Sequence, residues 1–174
     1  MAAASKVGSS GRVVAVEPLP ANHRSLYAGI VHNGFENVSV MPFAASDRPG
    51  IISAICGRDS SNGIVGVHAQ ADSYEINVPM HRLDDVLATL PRLDVVKIDI
   101  EGHEPLAWDG MVGLLERHRP DVFSEFSPIA MKNVGNDALA YLAKIFAYSE
   151  RVIVLHRDRD AVECRDAEAV MHEW

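Results

Sequence analysis

Short β-branched runs along this chain alternate with stretches whose apolar residues recur at helical spacing. Arg12–Val16 is such a run, opened by Gly11 and closed by Glu17-Pro18, and predicts a buried strand ending in a turn. Pro20 suits a helix's first turn, Leu26 and Ile30 repeat at helical spacing, and Asn33-Gly34 supplies a stop. Val38–Phe43 predicts the next strand, leading into Ala44-Ala45-Ser46-Asp47 and the turn Arg48-Pro49-Gly50. Residues 51–80 behave differently. Gly57, Gly63 and Gly66 punctuate short apolar pieces, and Ile76, Val78 and Met80 alternate, so a β-excursion of hairpin or edge strands is expected.

Further on, the pattern predicts a short helix over Leu83–Leu90, a strand over Asp94–Ile100, and a helix over Pro105–His118 with Leu106, Leu114 and Leu115 inward. A strand over Asp121–Phe126, an amphipathic helix over Asn136–Tyr148, a strand over Arg151–His156 and a last helix over Asp166–Trp174 complete the series. Strands alternating with helices imply parallel crossovers. The expected fold is therefore α/β, a doubly wound, mostly parallel, Rossmann-like sheet covered on both faces. A length of 174 residues fits one domain spanning 1–174, and 48% hydrophobic with 23% charged residues excludes a disordered chain.

Charge narrows the partners. A net charge of -8 and the absence of any Lys/Arg cluster disfavour nucleic acid and polyanionic substrates. The two cysteines, Cys56 and Cys164, form no CxxC pattern and are expected to be reduced and buried. Eight histidines give no HxxxH or HExxH spacing, so no metal site is expected. No apolar run reaches membrane-spanning length and MAAASKVGSS lacks the marks of a signal peptide, which makes the cytoplasm the expected compartment and a membrane an unexpected partner.

In open α/β sheets ligands bind beyond the C-terminal ends of the strands, and in this chain those ends are acidic. The first strand delivers Glu17, the second Ser46 and Asp47, the third Asp99, Glu101 and Glu104 with His103, and the fourth Glu125. A carboxylate at the end of an apolar strand, as Glu17 is, can accept from the vicinal hydroxyls of a ribose. NAD-binding and S-adenosylmethionine-binding domains share that feature, and a solvated strand-end acid is the plain alternative. Asp99 interrupts the apolar run VVKIDI, where a charge must be paired, solvated or functional. At period-2 alternation Lys97, Asp99 and Glu101 share one face, so an ion pair with Lys97 is the plain reading beside the functional one. Gly102 permits the tight turn into the following helix. His103 is a candidate general base or a polar surface residue, and Glu125 a substrate-facing or merely exposed acid.

Five segments, GRVVAVEPLPANHRSL, NVSVMPFAASDRPG, VPMHRLDDVL, DVVKIDIEGHE and RPDVFSEFSP, occur in that order over roughly Gly11 to Pro128. Together they resemble the FkbM-type methyltransferases, a Rossmann-like class that uses S-adenosylmethionine. The resemblance implies that Glu17 holds the ribose hydroxyls, that Pro18 and Ala45 flank the adenine, and that Asp47, next to Ser46, accepts from its amino group. It further puts Asp99 beside the methionine end and the transferred methyl, and turns Glu101, His103 and Glu125 toward the acceptor. The reaction it implies is O-methylation of a hydroxyl on a small molecule or carbohydrate, with Asp99 or Glu101 as base and His103 second. The family opens with a strand and a loop of the form D-x-G-A-N-x-G, and nothing before Gly11 matches it. MAAASKVGSS reads instead as the tail of the helix after such a loop, so the fold is expected to be incomplete at the N-terminus and, from the helix ending at Trp174, at the C-terminus. Two rivals remain at this point: a truncated or degenerate methyltransferase-like fragment without catalysis, and an NAD-binding oxidoreductase, for which no G-x-G-x-x-G is seen.

Overall fold

The run before Glu17 forms strand β1 (Val13–Val16), preceded by helix α1 (Ala2–Val7) and followed by helix α2 (Pro20–His32) and strand β2 (Val38–Met41). These elements belong to a computed structural model that describes residues 2–57, 63–65 and 73–174. β1 and β2 pair in parallel, Val13 opposite Val38 through Val16 opposite Met41, as a strand–helix–strand crossover requires. α2 starts at Pro20, where a missing N–H costs nothing. It stops as its sequence predicts. Gly34 takes φ +63° and the Phe35 N–H donates to the Ile30 carbonyl at 3.1 Å, while Asn33 Nδ2 donates to the Gly29 carbonyl at 2.7 Å.

The expected excursion is a four-stranded mixed sheet. Strands β3 (Ala44–Ala45), β4 (Gly50–Gly57), β5 (Gly63–Val65) and β6 (Ser73–His81) lie in the order β3-β6-β4-β5. β4 is antiparallel to β5 and β6, and β3 is parallel to β6. Gly66 lies outside the described residues. Period-2 alternation sends Ala54, Cys56 and Val78 inward, where they pack with Leu19, Ile52 and Ile76, and leaves Ile51 and Tyr74 outward.

Helix α3 (Leu83–Val86) is shorter than the pattern suggested, and the single helix expected over Pro105–His118 is two, α4 (Glu104–Asp109) and α5 (Val112–His118). The break has a tertiary cause. Gly110 passes so close to the Ser46 carbonyl that a Cβ would stand 1.9 Å from its oxygen. The Asp84 carboxylate then accepts from the N–H groups of Gly113 at 3.0 Å and Leu114 at 2.8 Å, giving the second helix its own N-terminal cap. Leu114 and Leu115 are buried as expected, whereas Leu106 is only half-buried.

Strand β7 (Val95–Ile98) runs in the same direction as β8 (Asp121–Ser124), since the Asp121 N–H donates to the Asp94 carbonyl at 2.9 Å and the Glu125 N–H to the Ile98 carbonyl at 2.8 Å. Helix α6 (Pro128–Asn133), absent from the sequence expectation, starts at Ser127, whose hydroxyl accepts from the Ala130 N–H. Helix α7 (Ala138–Tyr148) is capped by Asp137, and strand β9 (Val152–Val154) is paired antiparallel by a second unforeseen element, β10 (Val162–Cys164). Helix α8 (Ala167–Glu173) closes the described chain. Leu142, Cys164 and Val170 form the buried centre here, flanked by Phe126, Ile145 and Phe146.

By its contacts the chain divides into two compact units, Met1–Val96 with Leu106–Asp121, and Lys97–Pro105 with Val122–Trp174. The class is mixed α/β with small parallel and mixed sheets. No described helix is long and apolar enough to cross a membrane.

Candidate functional site

Four of the candidate residues lie in the second unit, at the C-terminal ends of β7 and β8. Within β7 the side chains alternate, Ile98 buried and Val95 and Lys97 exposed. The strand ends at Ile98, so Asp99 is not embedded in it. Its side chain is 49% exposed and pairs with the Lys97 ammonium. The ion pair that the spacing allowed is formed, and it satisfies this charge without any buried partner. Such an exposed pair contributes about 0.2–1 kcal/mol.

Beyond Asp99 the backbone leaves the extended conformation, so Glu101 does not continue the face shared by Lys97 and Asp99. Glu101 has φ +56° and Gly102 φ +97°. Only one other non-glycine among the described residues has a positive φ, Arg119 at +50°, and it ends α5, where a left-handed residue satisfies the last carbonyls. Glu101 ends no helix. Its conformation is imposed by neighbours, and three are visible. Glu104 Oε1 accepts from the N–H of Ile100 at 2.9 Å and of Gly102 at 3.3 Å. Asn136 Nδ2 donates to the Gly102 carbonyl at 2.8 Å. At Gly102 itself a Cβ would stand 2.5 Å from the backbone of Ala130.

His103 follows on the same turn, half-buried, with Nδ1 enclosed and without a hydrogen-bond partner among the described residues. Burial holds its pKa below the usual 6.5, which keeps the ring neutral near pH 7 and its lone pair available. Glu125 is exposed at the end of β8. Its pKa is raised by partial desolvation first, then by the charges of Asp99, Glu101 and Glu104 and a hydrogen bond with Asp99, although solvent screens much of this. Beneath it, Ser124 Oγ donates to the Glu125 carbonyl at 2.8 Å. A serine has one proton to give, so in the 2.8 Å contact between Ser124 Oγ and the Tyr141 hydroxyl the phenol is the donor. Tyr141 is fully buried, and burial pushes its pKa up.

Of the residues expected at the cofactor, Asp99 lies in the second unit and the other five lie in the first. Glu17 is half-buried just past β1, and its Oε1 accepts from the Leu19 N–H at 2.8 Å, which fixes the carboxylate against its own turn. Pro18 and Ala45 are half-buried as well. Ser46 is buried, its N–H bonded to the His81 carbonyl at 3.0 Å and its hydroxyl to Asp47 Oδ1 at 3.1 Å. Arg48 lies 3.4 Å from the other Asp47 oxygen, and Arg82 donates to the Asp47 carbonyl at 3.3 Å. The segment Ala45-Ser46-Asp47 is thereby tied to the end of β6.

Sequence reasoning ranked Glu104 with the other strand-end acids and passed over Asn136 and Tyr141. Glu104 is 1% exposed, and its Oε2 has no hydrogen-bond partner among the described residues. A glutamate two residues after a turn glycine, at the start of a helix, was the available signal. Asn136 and Tyr141 carried none, because their partners are 34 and 17 residues away in sequence.

The model of the methyltransferase FkbM domain matches residues 1–152, further in both directions than the five quoted segments. Searches of the curated proteins and of the solved structures return no match. With a match over most of its length, and with the IDIEGHE turn and the EP and AASD segments inside it, the chain belongs to the FkbM methyltransferase family.

Proposed function

We propose that this chain acts as a single S-adenosylmethionine-dependent methyltransferase domain of doubly wound design that methylates a hydroxyl on a small molecule or sugar. The observation that carries the reading is the turn after β7, where two carboxylates, Asp99 and Glu101, and the neutral imidazole of His103 fall within five residues of a strand's C-terminal end. Family membership supports methyl transfer over hydride transfer.

The residues present fit the nucleoside part of the cofactor. Glu17 is braced by the Leu19 N–H through one oxygen, and the carboxylate retains acceptor capacity for ribose hydroxyls. Pro18 and Ala45 offer small apolar surfaces for adenine, and Asp47, oriented by Ser46, accepts from its amino group. S-adenosylmethionine, when bound, supplies an electrophilic methyl carbon and leaves as a neutral thioether. Asp99 or Glu101 takes the proton that the acceptor hydroxyl must lose, with His103 second in line. Glu125 faces the acceptor. Most of the rate enhancement expected of such a site comes from holding oxygen, methyl and sulfur in line.

Replacing Asp99 by Asn keeps the shape and removes the base and the Lys97 ion pair together. Turnover is expected to fall by about 100-fold or more with little change in thermal midpoint. Near-normal turnover in Asp99→Asn would remove that residue from the mechanism. Calorimetry with S-adenosylhomocysteine tests the reading as a whole, since a wild-type chain that neither binds it nor transfers a methyl group is a methyltransferase-like protein without catalysis.

A further inference from the structure

We propose that Glu104 is a positioning residue whose buried carboxylate holds the Ile100–Gly102 turn in the conformation that presents Glu101 to the acceptor. The proposal rests on the methyltransferase reading given above and assigns a role within it to a side chain that touches neither cofactor nor acceptor.

Three unfavourable features are concentrated in five residues. A glutamate in the left-handed region is strained. Gly102 is extruded into positive φ against the Ala130 backbone, a position no other residue can fill. The Glu104 carboxylate is almost wholly removed from water while one of its oxygens has no donor among the described residues, which is unfavourable. An apolar side chain of similar volume would avoid that last penalty but could accept no backbone N–H. The other Glu104 oxygen does one identifiable thing. Oε1 gathers the N–H of Ile100 and the N–H of Gly102, the two groups on either side of Glu101, and so clamps the peptide units that set the Glu101 conformation. Asn136 holds the Gly102 carbonyl on the far side of the same unit. The turn is gripped through its backbone, which leaves the Glu101 side chain half-exposed.

Amide exchange and the intraresidue proton contacts of Glu101 in the full chain, both followed by NMR, test this in wild type, Glu104→Gln and Glu104→Ala. Gln keeps an acceptor oxygen, so exchange at Ile100 and Gly102 should stay within about threefold of wild type. In Glu104→Ala it should accelerate about tenfold at those two amides and not across the sheet, as expected for loss of buried hydrogen bonds. A positive φ brings the Glu101 amide proton close to its own Hα, and that short contact should be lost in Glu104→Ala and kept in Glu104→Gln. Exchange that accelerates everywhere with the Glu101 contact retained would mean a merely structural role and would overturn the proposal, as would unchanged protection in Glu104→Ala. If Glu104→Ala does not fold, Glu104→Asp, which shortens the reach by one methylene, is read against the same two outcomes. Failure of the wild type to bind S-adenosylhomocysteine removes the methyltransferase reading separately, because neither measurement on the turn requires cofactor or acceptor.

Discussion

Two turns in this molecule each use a glutamate to accept backbone N–H groups, and they do so to opposite ends. After β1, Glu17 is half-buried, bonds one N–H two residues ahead, and is itself the group held in place. After β7, Glu104 is buried, bonds two N–H groups behind it, and what is held is the backbone around Glu101. The first turn needs no unusual dihedral, since Leu19 keeps extended backbone at φ −87° and no residue of the turn has a positive φ. The second depends on two consecutive residues at positive φ. A carboxylate fixed by one backbone N–H tolerates change around it, whereas a backbone held at positive φ by one buried carboxylate does not.

Gly102→Ala should break that contrast most severely, with a loss of about 3 kcal/mol or more in chemical denaturation, because the new methyl meets backbone and not a side chain that can move. Gly34→Ala is the matched control. Its φ of +63° is similar but nothing lies within 4 Å of the added Cβ, so about 1 kcal/mol is expected. Equal losses would mean that dihedral strain, and not the Ala130 contact, fixes the second turn. Next in size, Glu17→Gln should weaken S-adenosylhomocysteine about tenfold by calorimetry while leaving the denaturation midpoint in place. A fall in stability without a fall in affinity would make Glu17 a structural acid of its own turn.

Smaller effects come from pH. His103 has a folded pKa below 6.5, so the unfolded chain binds its proton first as pH falls. Its contribution to stability is complete above about pH 6.5 and is lost below it, and His103→Gln should show a shallower decline between pH 6.5 and 5. Glu125 has the opposite sign. Its raised pKa makes the folded chain the better proton binder above 4.5, so its contribution is lost as pH rises, and Glu125→Gln should flatten that limb. Least of all, Lys97→Met should change stability by under about 0.5 kcal/mol, as an exposed ion pair does.

The first turn was almost wholly legible in the sequence. A β-branched run, an acid, prolines at the turn and an Asn-Gly stop are local signals, and β1, α2 and the end of α2 follow them closely. The excursion over 51–80 was legible for the same reason, since alternation in YEINVPM is a property of neighbours. The break at Gly110 was not, because its cause is the Ser46 carbonyl, far back in the chain. Helix α6 did carry a local signal, Ser127-Pro128, which is a cap and a first-turn proline, but the apolar pattern around it is short. At the candidate site, Asp99 and its pairing with Lys97 could be foreseen from a spacing of two. The roles of Glu104 and Asn136 could not, because they are defined by backbone groups that one strained turn exposes.

Each compact unit also holds one thiol, Cys56 in the centre formed with Leu19, Ala54 and Val78, and Cys164 in that formed with Leu142 and Val170. Both are free and buried, and the Cys164 pKa is raised by burial and then by the charges of Glu173 and Asp166, so its thiolate is scarce in the folded chain. Alkylation of the native protein is therefore a clock that runs only when a core opens. Peptides carrying Cys56 and Cys164 can be resolved after a timed pulse, so one reagent reads the opening rates of both units in the same tube, without a label, a mutation or a ligand.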